Sequence, residues 1–405
     1  MEDLKEIKNC ELCGYEDLEE VLNIGNHPLC DDLVPINSNR QCTSYPIQIL
    51  LCKNCLTAHQ KFQIRKEILF PSNYHYRARF TKDVLNGMKN LVNDCEKFLH
   101  TLHNIKVLDV GCNDGSLLNI FKKKGSYTVG IEPTKASMDA TEAGHKIYND
   151  FFETRLAEKI SKREGLFDVV VFTNVFAHID DLKNLLLNTK KVLKKDGLLI
   201  IENHYLGSVL KGNQFDTFYH EHPRTYSALS FIHIAKILAL KLTDFKFTSR
   251  YGGNIRVFIS NRENCNKDSL NKVIDNEKKT FKNLFSKMNK FISAWKMDTN
   301  SKLQNLIKKN GPLVAKAFPG RAAILIHLLG YDKRDISAVY EKPDSLKINH
   351  FVPGTSIPIK SEKELFEKKV KENTHLLNLA WHIPDEIKNY MKDNKFEGKI
   401  INILE

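Results

Sequence analysis

The stretch VLDVGCNDGSLL (Val107–Leu118) decides the fold. Its apolar opening reads as a short buried strand of the parallel kind, and the Gly closing it is where such a strand turns into a helix. The helix follows as SLLNIFKKKG, apolar at helical spacing and stopped by Gly. Glycine in the turn lets the backbone approach a ligand more closely than any larger residue could. The spacing is G-x-x-x-G, not the G-x-G-x-x-G of a dinucleotide-binding fold. Downstream, YTVGIEP, FDVVVFTNV and GLLIIEN add strands with helical stretches between them. This alternation predicts a doubly wound α/β domain whose ligands sit at the carboxyl ends of the strands. There the next strand closes on Glu132, where a carboxylate can accept both ribose hydroxyls. Asp150 (YNDFF) ends a candidate third strand and Asn174 (FTNVFAHI) a fourth.

At 405 residues the chain has room for roughly two to three domains. Apolar content of 42% and charged content of 27% are those of an ordinary globular protein. The net charge of +12 suits nucleic acid, an anionic small molecule or a membrane surface. Lys-rich runs such as NEKKTFKNLFSKMNKF read equally well as the solvated face of a helix. MEDLKEIKNC lacks the apolar region of a secretory signal, and no apolar run reaches the ~18 residues of a membrane span. A cytoplasmic location without a membrane partner is expected.

Of the nine cysteines, four form two C-x-x-C pairs, CELC (Cys10, Cys13) and CKNC (Cys52, Cys55). In a reducing compartment such pairs point to one tetrahedral, structural Zn²⁺, ahead of a redox dithiol or plain buried thiols. The metal would supply folding energy that a small, loop-rich module lacks.

FDTFYHEHPRTYS (Phe215–Ser227) concentrates proton-handling side chains. Three readings fit. His220 and His222 at period two could share a metal, the segment could be a hydrogen-bonded corner, or it could transfer protons near neutral pH. Beyond it come a long helical region near 265–310 and a tail that alternates again, from LVAKAF to KIINIL, as a second, smaller doubly wound domain. The expected domains are therefore 1–72 (zinc), 73–205 (α/β) and 206–405 (second Rossmann-like domain, with the His-Glu-His segment at its start).

The D-V-G-x-x-x-G loop followed by an acidic strand end resembles a class I S-adenosylmethionine-dependent methyltransferase. Together with CELCG, GNHPL, CKNC, NVFAHIDD, FDTFYHEH, YGGNIRVFIS and PGTSIPI, it makes nearly the whole chain similar to the nucleotide-sugar C-methyltransferases of deoxysugar pathways. That resemblance implies that Gly111, Asn113, Asp114 and Gly115, after Asp109, line the methionine side of S-adenosylmethionine. It puts Glu132 on the ribose, Asp150 near the adenine and Asn174 at the same edge. It further implies a base at His222, helped by Tyr219 and Glu221, with His178 facing the same cavity and Tyr74 and Tyr76 closing it. The base would raise an enolate on a nucleotide diphosphate sugar. The sequence departs from the family in GPLVAKAFPGRAAIL, where Lys316, Gly320 and Arg321 are left as pyrophosphate candidates, and in IENHYLG, which lacks a proline common there. A sugar O-methyltransferase and, for a different class, an RNA methyltransferase are the alternatives. The second calls for an Arg-rich, aromatic-interleaved surface that is not evident, so no nucleic-acid partner is expected. The sequence leaves the oligomeric state open, with a monomer as the working expectation.

Overall fold

The computed structural model describes residues 4–70, 77–80, 82–262, 267–367 and 374–404. They fall into two compact units. The first comprises Met1–Val21, Ile49–Gly212 and Glu221–Lys282, the second Leu22–Gln48, Asn213–His220 and Asn283–Glu405.

In the first unit the end of strand β1 (Ser44–Cys52) pairs antiparallel with β2 (Ala58–Gln60), with a tight turn between them that holds the second cysteine pair. Helix α1 (Lys82–Leu99) lays Met88, Leu91, Val92 and Cys95 on the main sheet, against Val107, Leu117, Phe121, Val169 and Ile200. The sheet is built from β3 (Lys106–Val110), which leads into α2 (Ser116–Lys123), then β4 (Tyr127–Ile131), β5 (Lys146–Tyr148), β6 (Phe167–Thr173) and β7 (Leu193–His204). After the short β8 (Arg224–Thr225) and α3 (Ala228–Ile237), the hairpin β9 (Lys241–Thr248) and β10 (Asn254–Ser260) completes it.

The strand order is β9-β10-β7-β6-β3-β4-β5. The five strands from β7 to β5 run parallel, whereas β10 lies antiparallel on β7 and β9 antiparallel on β10. Chain direction reverses its walk between β3 and β6, which opens the ligand crevice at their carboxyl ends. The expected boundary at 205 falls inside this sheet, because β10 hydrogen-bonds along β7 from Leu199 to His204.

Helix α4 (Lys267–Asn310) carries the chain onward. In the second unit β11 (Leu313–Lys316), α5 (Ala322–Leu329), β12 (Ile336–Glu341), β13 (Ile359–Ser361), β14 (His375–Asn378) and β15 (Lys399–Asn402) form a fully parallel sheet. Its order, β13-β12-β11-β14-β15, is Rossmann-like, with Tyr340, Leu365, Leu376, Ile387 and Met391 in its core. Among the described residues no helix is long and apolar enough to cross a membrane.

Candidate active site and metal centre

The loop after β3 is held open by backbone geometry. Gly111 (φ +75°) and Gly115 (φ +76°) occupy the left-handed region, and a Cβ on Gly111 would lie 2.5 Å from Val175. Asn113 Oδ1 accepts the Ala78 amide at 3.0 Å, and Asp114 accepts the Arg79 amide at 2.9 Å and the Ser116 hydroxyl at 2.6 Å. Glu132, buried, accepts from the Asn113 amide (3.0 Å) and from the Thr134 amide and hydroxyl (2.9 and 2.6 Å).

Asp109, one residue before the end of β3, is also buried, and burial together with the charge of Glu132 pushes its carboxyl up to about 8. Two carboxyl groups in a low-dielectric crevice beside side-chain-free backbone, one of them readily ionised by a nearby positive charge, fit a cationic ligand that carries hydroxyls. Asp150 is exposed just past β5, and Asn174 (φ +55°) accepts from Asn254 Nδ2 at 2.9 Å.

Behind this edge lies a polar network that sequence reasoning missed. Glu202, buried on β7, binds Arg250 Nη1 at 2.8 Å and Arg256 Nε at 2.7 Å. Arg256 also pairs with Asp94, and Gly87 gives the room, since a Cβ there would sit 2.1 Å from Arg250 Cδ. YGGNIR thus supplies both the cation that pairs with Glu202, from Arg256, and the amide that steadies Asn174, from Asn254.

The histidines come next. His178 donates Nδ1–H to the Glu221 carbonyl at 2.8 Å, which fixes the tautomer and turns Nε2 into an acceptor. Packing pushes its pKa down to about 4, although the bond to Glu221 opposes the shift, so the ring is neutral at pH 7. His222 is buried, with its ring centroid 4.9 Å from His178 and 5.0 Å from His204. His204 is not among the expected residues, because nothing local in IENHYLG marks it.

Tyr219 and His220 belong to the second unit. There His220 is buried, donates Nε2–H to the Tyr45 carbonyl at 3.0 Å, and burial lowers its pKa to about 4. A backbone carbonyl is a structural partner, not a metal. Tyr74 and Tyr76 lie outside the described residues. Lys316 is buried in an ion pair with Glu362 at 2.6 Å, and Arg321 lies 3.4 Å from Asp216, gives Nη1–H to Thr217 at 3.0 Å and stacks on Trp381. Both phosphate candidates therefore already face a carboxylate.

Among the described residues Cys10, Cys13, Cys52 and Cys55 are the group that could hold a metal, their sulfurs all within 4.8 Å of one another. Cys10–Cys55 is 3.5 Å and Cys13–Cys52 is 3.6 Å. Four sulfurs ~2.3 Å from a central Zn²⁺ stand about 3.8 Å apart, so the set fits the ion. Hydrogen bonds from Cys10 and Cys55 hold the Cys52 thiol far below its usual range and push those two upward, as expected where several thiolates need one cation.

Three families of known proteins match the chain: a zinc binding domain over residues 10–70, a methyltransferase domain over 80–242 and a C-methyltransferase C-terminal domain over 249–404. The chain therefore carries a methyltransferase domain between the other two. Its cofactors are S-adenosylmethionine and structural zinc, with the loop after β3 and the four cysteines as the residues that fit them. The chain is 30% identical to the C-methyltransferase NovU of Streptomyces niveus over 261 residues, 64% of this chain and 62% of that protein. It is 26% identical to a ubiquinone biosynthesis O-methyltransferase of Bartonella quintana over 106 residues, 25% of this chain and 42% of that one. The chain thus spans less than two thirds of the length of these relatives. Among solved structures, the magnesium protoporphyrin IX methyltransferase of Synechocystis PCC 6803 matches 45% of this chain and 86% of its own chain, with 15% identity and a TM-score of 0.35.

Proposed function

We propose that the chain transfers a methyl group from S-adenosylmethionine to a carbon atom of a nucleotide-linked keto-deoxysugar, through an enolate raised by a base. The observation that carries this reading is the histidine pair, a neutral His178 with its tautomer set by the Glu221 carbonyl and His222 at ring distance 4.9 Å. When bound, S-adenosylmethionine supplies an electrophilic methyl group on a sulfonium centre.

The rest is work for the chain's own residues. A carbon beside a ketone loses its proton only to a positioned base, and only where donors hold the oxygen that gains charge. In this proposal His222 takes the proton, His178 faces the same substrate, and Tyr219 and Glu221 orient the sugar or the base. Asp109, Gly111, Asn113, Asp114 and Gly115 hold the methionine side, Glu132 the ribose and Asp150 the adenine, with Asn174 beside them.

Arg321 takes the pyrophosphate. Its buried Nη2 makes no hydrogen bond among the described residues, which supports a role toward an anion. Lys316, neutralised by Glu362, would have to exchange that partner to join it. The protein is proposed to act as a cytoplasmic monomer without nucleic acid.

The test is a panel of 4-keto nucleotide-sugars incubated with methyl donor and read by mass spectrometry. His222→Ala should abolish methylation, and should also abolish deuterium exchange at the carbon beside the ketone, while binding of S-adenosylmethionine stays intact. Turnover near the wild-type rate in that variant overturns the assignment.

A further inference from the structure

We infer that Arg224 is a positioning residue that ties the spacing of His178 and His222 to the zinc knuckle. Arg224 follows His222 by two positions and is fully buried. Its guanidinium donates to the carbonyls of Ile179 and Asp180, the latter at 3.1 Å, and these are the two residues that follow His178. Its Nε–H is given to the Tyr226 hydroxyl at 3.1 Å. The same guanidinium forms an ion pair with Glu11, which lies between Cys10 and Cys13.

Glu11 is itself held from other sides, by Gln63 Nε2 at 2.8 Å and Lys5 Nζ at 3.0 Å. Burial alone would raise its carboxyl, yet Arg224, His59 and Gln63 keep it well below the usual carboxylate range. The backbone repeats the connection. β8 pairs antiparallel with β2, Arg224 opposite His59, and the His59 ring lies 3.3 Å from the Cys10 sulfur.

A guanidinium that is planar and completely enclosed cannot lose one partner without leaving a buried charge uncompensated. If the knuckle opens and Glu11 departs, the enclosed guanidinium loses its counter-charge, which drives it toward solvent and away from the Ile179 and Asp180 carbonyls. The segment after His178 and the segment after His222 then lose their common anchor. Zinc loading is in this way a condition for the histidine geometry, not only for folding of the N-terminal module. The inference rests on the histidine pair proposed above as the proton-transfer site.

The experiment uses the full, zinc-loaded chain and the variants Glu11→Gln and Arg224→Met. Zinc release to the chelator 4-(2-pyridylazo)resorcinol should speed up by ~10-fold or more in each, the size usual for loss of an outer-shell partner. In imidazole nitrogen NMR spectra the Nδ1–H tautomer signature of His178 should be lost in both, and lost in the wild type after zinc removal, while S-adenosylmethionine affinity stays within about two-fold. Should Arg224→Met fail to fold, Glu11→Gln, which keeps the shape of the side chain, decides alone. Wild-type zinc release, or an unchanged His178 signature, in folded Glu11→Gln overturns the inference and leaves the base assignment standing. Wild-type turnover in His222→Ala overturns the base assignment and leaves the zinc-release result standing.

Discussion

His178 gives its Nδ1 proton to the carbonyl of Glu221, 2.8 Å away, so the peptide that leads into His222 also decides which nitrogen of His178 can accept a proton. The link joins the loop after β6 to the segment before β8, two stretches far apart in sequence, and sets the tautomer of His178 from the segment that carries His222.

A cationic methyl donor bound between Asp109 and Glu132 should expel a proton. Asp109 is held at about 8 by burial and by Glu132, and a nearby positive charge favours its ionised form. Affinity for S-adenosylmethionine should therefore rise as pH increases toward 8 and level off above it. Calorimetry in two buffers of different ionisation enthalpy should register release of a fraction of a proton at pH 7. Binding without proton exchange and without pH dependence would remove Asp109 from the cofactor's surroundings.

Glu132→Gln should weaken S-adenosylmethionine binding by roughly 10- to 100-fold, the range expected for a charge-assisted hydrogen bond lost from a buried site. The fold should survive, since the Gln carbonyl oxygen still accepts from the Thr134 amide and hydroxyl and only the bond from the Asn113 amide is given up. Equilibrium dialysis with labelled cofactor measures the effect, and unchanged affinity tells against the ribose contact.

Stability should decline on mild acidification. Burial lowers His27 and His220 from 6.5 to about 4. Between those values the unfolded chain binds protons that the folded chain refuses, so stability is complete above about pH 6.5 and is lost as pH falls toward 4. Each of the two can steepen the loss by up to about 1.4 kcal/mol per pH unit. Urea midpoints at pH 7.5, 6 and 5 give the slope, and equal midpoints across that window would mean that these rings gain protons while folded.

Metal analysis should return about one zinc per chain, as four thiolates around a single ion require. Replacing Cys13 by Ser should lower zinc content and the temperature of the first unfolding transition together. Full occupancy in that variant would mean that the fourth sulfur is dispensable.

The parts readable in advance were those written in short runs. VLDVGCNDG announces a strand, a left-handed turn and a helix within a dozen residues, and CELC and CKNC announce a metal by spacing alone. Glu202 gave no such sign. It looks like any strand-end acid until β10 pairs with β7 and brings Arg256 opposite it. His204 was equally silent, since its partner His222 is adjacent only through tertiary folding. Lys316 and Arg321 looked like phosphate ligands because the acids facing them, Glu362 and Asp216, lie far away in sequence. Local periodicity reports elements, and it says nothing about pairs that meet only once those elements have docked.

The edge hairpin of the seven-stranded sheet has one more effect. Because β9 and β10 run against their neighbours, their connection, not their free ends, stands on the rim where the parallel strands finish. The short link from Thr248 to Asn254 thereby sets Arg250 against Glu202 and Asn254 against Asn174 in a single stroke. A residue inserted in that link would dislodge both anchors, whereas one inserted just beyond Ser260, on the far rim, would leave them in register.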